Sequence, residues 1–175
     1  MKLTSRGEYA TRALFYLAQQ PPTTFVSVAR IAAENELPRK YLEQILTELR
    51  GAGVLTSREG ARGGYRLAVS PSQVTIGSVL RLLDGPMAPI GCVAGDPALC
   101  GRFEATCGTK PFWSVMTRML DWLVDSVTFA DLLDSYEGRK PLFPGPELVV
   151  PLGPAYLMRD PVAPARADSP EEIGS

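Results

Sequence analysis

Between residues 27 and 53 two short runs of helical apolar spacing are separated only by Asn35-Glu36-Leu37. So short a turn forces the two helices to cross and pack at once. In the first, Ser27 is placed as a cap, with Val28, Ile31 and Ala32 on one face. In the second, Pro38 suits the opening position, and Leu42, Ile45, Leu46 and Leu49 point inward. Gly51 and Gly53 end it. This is the pattern of a helix-turn-helix.

The flanking segments fit that unit. Before it, Tyr9, Ala10, Ala13, Leu14, Leu17 and Ala18 predict a helix over 5–19, stopped by Pro21-Pro22. After it, β-prone runs at 54–58 and 65–69 enclose the tip Glu59-Gly60-Ala61-Arg62-Gly63-Gly64. They read as a hairpin, and a hairpin directly following a helix-turn-helix is a wing. Thr75 is placed to cap a further helix through Leu83, ended by Gly85-Pro86.

Charge is distributed unevenly along the chain. Residues 1–66 carry ten basic and six acidic side chains, a net +4, although the whole chain carries −1. The basic end is where a nucleic-acid surface is expected. No histidine occurs among the 175 residues. Ser-His and Cys-His catalytic arrangements and His-containing zinc sites are thereby excluded. No nucleophile–base pair stands out, and no Gly-Lys-Ser/Thr follows the glycine cluster, so an enzyme is not expected. No apolar run approaches a membrane span, and the N-terminal residues lack the apolar stretch of a secretion signal. A cytoplasmic protein without membrane contact is expected.

A recognition helix needs cations over phosphates and hydrogen-bonding groups over base edges. The helix beginning near Pro38 offers Arg39 and Lys40 in its first turn, then Tyr41, Glu43 and Gln44 on its outer faces. Gln44 can read adenine, and Glu43 can accept from cytosine N4 while repelling phosphates. The same residues also suit a plain solvated face. The wing adds Arg58, Arg62 and Arg66, with Arg62 expected at the exposed tip.

Cys92, Cys100 and Cys107 lie within sixteen positions. An odd count in a reducing compartment argues against structural disulfides. Thiolates suit iron–sulfur clusters or zinc, but structural zinc wants four ligands. Three free thiols, one of them redox-reactive, are the other reading. From Pro111 a single long helix is predicted to about Tyr136. Phe112, Met116, Met119, Leu123, Ala130 and Leu133 form a heptad-like seam, with Ser126 in the gap. Trp113, Leu120 and Val127 form a second stripe, so one face is free for a partner subunit. Eight of sixteen prolines lie in 139–175, a composition expected to stay disordered.

Several motifs, in order, carry a resemblance. They are residues 1–10 (Met-Lys-Leu-Thr-Ser-Arg-Gly-Glu-Tyr-Ala), Tyr41-Leu42-Glu43-Gln44-Ile45-Leu46 and Arg62-Gly63-Gly64-Tyr65-Arg66-Leu67. The three-cysteine loop followed by Phe112-Trp113, and the run 125–132, continue it. Over residues 1 to about 135 the chain resembles the winged-helix repressor family of IscR, NsrR, RirA and CymR, the Rrf2 family. No histidine follows the third cysteine, where IscR-like members place a fourth ligand. Thr109 and Lys110 stand there, and the loop spacing is closer to the RirA and NsrR type.

The resemblance implies a homodimer on double-stranded DNA, at a pseudo-palindromic operator. It implies an iron–sulfur cluster (2Fe-2S or 4Fe-4S) on Cys92, Cys100 and Cys107, with Glu8 of the partner subunit completing it. The expected DNA-contacting set is Lys2, Arg39, Lys40, Tyr41, Glu43, Gln44, Arg58 and Arg62. The expected fold is mainly α with a small β-hairpin: a winged helix-turn-helix domain (1–85), a cysteine loop (86–110), a long C-terminal dimerisation helix (111–137) and a tail (138–175). The expected activity is cluster-gated transcriptional regulation, most simply repression. Two alternatives stand beside it: the same regulator governed by thiol oxidation or a partner protein, and a winged-helix protein-interaction module.

Overall fold

A computed structural model describes residues 4–60, 62–94 and 107–143. Helix α1 (Ser5–Ala18) starts where the Thr4 hydroxyl accepts from the Arg6 N–H. Its buried residues Gly7, Ala10, Ala13, Leu14 and Leu17 fall at helical spacing. Helix α2 (Val28–Asn35) is capped by Ser27, as its sequence predicts. It ends at Glu36, which takes the left-handed conformation at φ 54°. That reversal lets the Leu37 N–H reach the Ala32 carbonyl at 2.9 Å and buries the Leu37 side chain.

Helix α3 (Arg39–Gly51) crosses α2 and buries Leu42, Ile45, Leu46 and Leu49. Pro38 is the residue before this helix, in an extended conformation, and not its first helical residue. Strands β1 (Leu55–Arg58) and β2 (Gly64–Leu67) pair antiparallel, Leu55 opposite Leu67 and Arg58 opposite Gly64. Val26 and Tyr65 exchange two main-chain hydrogen bonds, 2.9 and 2.8 Å, tying the wing to the strand-like approach to α2. Gly64, at φ 143°, makes this possible: a Cβ there would run into the Val26 main chain.

After a 3-10 turn (Pro71–Gln73), Thr75 caps helix α4 (Ile76–Asp84), which Gly85 ends. A second 3-10 turn (Gly91–Val93) carries Cys92. The core lies where α1, α2, α3, α4 and the wing meet, around Leu14, Ile31, Leu42, Leu46, Leu49 and Val79. No described helix is long and apolar enough to cross a membrane.

The predicted single helix from Pro111 to Tyr136 is two helices. Helix α5 (Lys110–Asp125) and helix α6 (Phe129–Tyr136) are separated at Ser126, Val127 and Thr128. The cause is local. The Thr128 side chain accepts from the Asp131 N–H at 3.1 Å, and the Asp131 carboxylate accepts from the Thr128 N–H at 3.0 Å. This reciprocal cap starts a new helix. The intervening backbone is drawn onto the segment before α4: Ile76 donates to the Val127 carbonyl at 3.0 Å, and Phe129 to that of Val74 at 3.1 Å. Phe129 is wholly buried in the winged-helix core, and Val127 nearly so. Val127 of the second expected stripe thus packs on its own domain, together with Phe129, which belongs to neither stripe.

Candidate nucleic-acid interface

Helix α3 presents an open trough lined by Lys40, Glu43, Gln44, Thr47 and Glu48. They share the face opposite the buried leucines because residues three and four apart align. Lys40 and Gln44 are exposed. The Lys40 side chain forms no ion pair among the described residues and is available to phosphate. Its position in the first turn adds the positive end of the helix dipole.

The two carboxylates in the trough are already engaged. Glu43 is half-buried and pairs with Arg39, one turn earlier, at 3.0 Å. Glu48 pairs with Arg6 from α1. These pairs compensate negative charge on a surface expected to approach phosphates. Tyr41, also in the expected set, has a partner within the chain. It is half-buried, its ring edge-on to Tyr9 with centroids 5.8 Å apart, so it braces α3 on α1.

The wing presents Arg62 at its tip, exposed, its side chain without a partner among the described residues. Arg58, also exposed, contacts its own hairpin and the residue before Val26. Its Nη2 donates to the Arg62 carbonyl at 2.7 Å, and its guanidinium lies 4.6 Å from the centroid of the Phe25 ring. Arg66 lies on the same ring at 4.9 Å and donates to the Pro22 carbonyl at 2.7 Å. Phe25, Thr47 and Arg6 are absent from the set read from sequence. Thr47 was findable by its spacing from Glu43 and Gln44. Phe25 had no periodic signal, being one aromatic in a loop. Lys2 lies outside the described residues.

The cysteine region is described at both ends. Cys92 is half-buried in its 3-10 turn, which packs on α5. Cys107 is half-buried just before α5, its Sγ 3.4 Å from the Thr109 hydroxyl. That hydroxyl, then the N–H groups of Thr109 and Lys110, hold the Cys107 thiol below its ordinary value. A helix N-terminus favours thiolate in this way. Cys100 lies outside the described residues. Among those described, no three Cys, Asp or Glu side chains converge as a metal site. Glu8 is exposed on the first turn of α1, 3.7 Å from Arg12.

A helix-turn-helix with a glycine-tipped, arginine-bearing wing and a polar recognition helix defines a winged-helix DNA-binding regulator. The family described as "Rrf2: Iron-dependent Transcriptional regulator" matches residues 3–135, and the chain belongs to that family. Protein rrf2 of Nitratidesulfovibrio vulgaris is 36% identical over 133 residues, spanning 76% of this chain and 87% of the relative. Among solved structures, CymR, the global cysteine regulator of B. subtilis, superposes with a TM-score of 0.62 at 31% identity, covering 78% of this chain and 98% of CymR. T. potens IscR superposes with the same TM-score at 32% identity, covering 83% and 94%. The family is described as one of transcriptional regulators, the class that the sequence led us to expect in place of an enzyme.

Proposed function

We propose that the chain acts as a homodimeric repressor on a pseudo-palindromic operator, its affinity set by an iron–sulfur cluster, 2Fe-2S or 4Fe-4S, on Cys92, Cys100 and Cys107. The placement of Cys92 and Cys107 at α5 carries this reading: Cys107 stands just before the helix, and the turn that bears Cys92 packs on it. A soft ligand held toward its thiolate form at a helix N-terminus suits iron–sulfur ligation, and Cys92 sits on the turn packed against that same helix. Glu8 of the partner subunit is the proposed further ligand. When bound, the cluster supplies a redox- and iron-responsive link between the segments before α5.

In this reading Lys40 and Arg62 hold phosphates, and Gln44 and Glu43 face base edges. Helix α5 supplies the surface for the second copy: Phe112 is 62% exposed, and Trp113, Met116, Met119 and Leu123 are only half-buried. A strip of that kind is left for a partner. Two reading heads would then meet half-sites about one helical turn apart. Arg81 joins α4 to the C-terminal half of α5 through Asp121 and Asp125, and the proposed link from the cysteine end of α5 to the reading head runs along that helix. Coupling of this kind is reciprocal in either sense: the factor by which the cluster changes operator affinity is the factor by which the operator changes cluster affinity.

The test is anaerobic purification with a visible spectrum, iron and sulfide counts, and operator binding for wild type and Cys107→Ser. The proposal expects a brown protein with about two or four irons per chain, and for Cys107→Ser a loss of colour with a changed operator affinity. Equal affinity with and without the cluster overturns gating. A protein that stays colourless after reconstitution favours control by thiol oxidation or a partner protein, a reading that the activated Cys107 also supports.

A further inference from the structure

We infer that Phe25 is a positioning residue for DNA binding, setting the tip of the wing through Arg58. The inference rests on the proposed contact between the wing and DNA. Phe25 precedes Val26, which is hydrogen-bonded to Tyr65 of β2 in both directions. Its ring is thereby held beside the tip end of the wing ladder, where Tyr65 lies one pair from Arg58 and Gly64. Two guanidinium groups lie on it, Arg58 at 4.6 Å and Arg66 at 4.9 Å from the centroid.

Two like charges do not gather on one apolar side chain without a reason. An aromatic face attracts cations through its quadrupole, and arginine stacks well on it. Each guanidinium is also tied to a backbone carbonyl, Arg58 to that of Arg62 and Arg66 to that of Pro22, both at 2.7 Å. The Arg66 Nε is buried without a hydrogen-bond partner among the described residues. Arg66 thus staples the wing to the loop before α2. Arg58 reaches from the ring to the main chain of the tip and fixes the carbonyl of the residue that presents the free cation, Arg62. The glycines around it would otherwise leave the tip conformation loose.

The arrangement makes a specific statement about energetic coupling. Phe25 should act on DNA affinity only through the tip. Phe25→Leu keeps apolar bulk and removes the π face, so the tip loses its order and Arg62 its placement. The expected loss of affinity is roughly three- to tenfold, the scale of a pair of partly exposed cation–π contacts. In an Arg62→Ala background the same substitution should change affinity little, because there is no tip cation left to place. Phe25→Trp should restore binding, since indole is the better cation platform.

The experiment uses the full chain and a labelled duplex of about 30 base pairs, long enough for two half-sites, selected from a random library by the wild-type protein. Affinity is measured against salt for wild type, Phe25→Leu, Phe25→Trp, Arg62→Ala and the Phe25→Leu/Arg62→Ala double variant. A loss in Phe25→Leu that disappears in the double variant, with a shallower salt slope and rescue by Phe25→Trp, supports the inference. A loss that adds fully to that of Arg62→Ala, or no loss while Arg62→Ala is impaired, overturns it. An Arg62→Ala protein that binds like wild type refutes instead the wing contact on which the inference rests. A thermal melt of Phe25→Leu separates loss of folding from loss of placement.

Discussion

Arg81 on α4 donates to Asp121 on α5 at 2.9 Å and pairs with Asp125 one turn further along the same helix. One guanidinium thus holds two successive turns of α5 against the reading head. Arg81 is the last basic residue of α4, so its charge also complements the negative end of that helix. The side chains are about a third or more exposed, which limits the contribution to stability to about 1 kcal/mol. The geometric effect is larger than the energetic one. Arg81→Met should leave α2 and α3 intact and loosen α5. Hydrogen exchange should show faster amides across residues 113–125 with α3 unchanged; equal protection in α5 would show that the apolar contacts alone hold it.

The break between α5 and α6 has its own acid sensitivity. Hydrogen bonds from the Thr128 hydroxyl and N–H hold the Asp131 carboxyl below its ordinary value of 3.8. A lowered folded value means that the charged form is the one the fold prefers. Its contribution is complete above the ordinary value and is lost as pH falls through the lower folded one. Asp121 runs the other way. Its burial pushes the carboxyl up despite the pull of Arg81, so its proton is bound more tightly in the fold, and acid favours the fold at that position. Asp131→Asn should lower stability near neutral pH by about 1 kcal/mol, the scale of a lost helix cap. The difference from wild type should shrink below pH 4 in urea melts. A constant difference down to the lowest pH would refute the assignment.

Much of this fold is legible in the residues because local signals agree with global ones. Ser27 and Thr75 cap the helices that the sequence predicts for them, and the leucines of α3 are buried as their spacing demands. The long helix was misread because periodicity was weighed above capping. Ser126 already marked a gap in the seam, and Thr128 with Asp131 three residues on is a visible start signal. The candidate interface was legible where exposure follows from helical spacing, at Lys40 and Gln44. Contacts made with a partner distant in sequence were not legible. Tyr41 turned to Tyr9, and Arg58 turned to Phe25, are tertiary events that no local pattern encodes.

Gly7 lies where α1 packs on α4. A Cβ at this position would stand 2.6 Å from Asp84 Oδ2 and 2.7 Å from Leu80 Cδ2. The Asp84 carboxylate has little freedom to withdraw: it accepts from the Thr4 N–H at 3.2 Å and also from the Thr4 hydroxyl. Glycine inside a helix ordinarily costs about 0.5–1 kcal/mol relative to alanine. Here the sign should reverse. Gly7→Ala should destabilise by about 1–3 kcal/mol, the usual scale of overpacking, read as a lower denaturation midpoint at unchanged m. Gly7→Ala combined with Asp84→Ala should recover part of the loss, because the nearest obstacle is gone. A Gly7→Ala protein more stable than wild type would show that the two helices slide apart freely.

The ion pair between Arg39 and Glu43 makes a prediction about selectivity rather than strength. Glu43 is a half-buried carboxylate on the face offered to DNA, and Arg39 is the cation that compensates it. On any phosphate-rich surface the carboxylate is a cost. Only a base edge with a donor, such as cytosine N4, returns that cost. Glu43→Ala removes the repulsion and releases Arg39 toward phosphate. Binding to random duplex should therefore strengthen, by roughly three- to tenfold at low salt, and the salt slope should steepen by about one. Binding to the selected duplex should gain less or fall, so the ratio of specific to nonspecific affinity drops. Arg39→Ala should do the opposite, weakening both duplexes and leaving an uncompensated carboxylate in the trough. Competition titrations at two salt concentrations measure both ratios. An unchanged ratio for Glu43→Ala would place Glu43 outside the contact surface, as a helix-surface ion pair and nothing more.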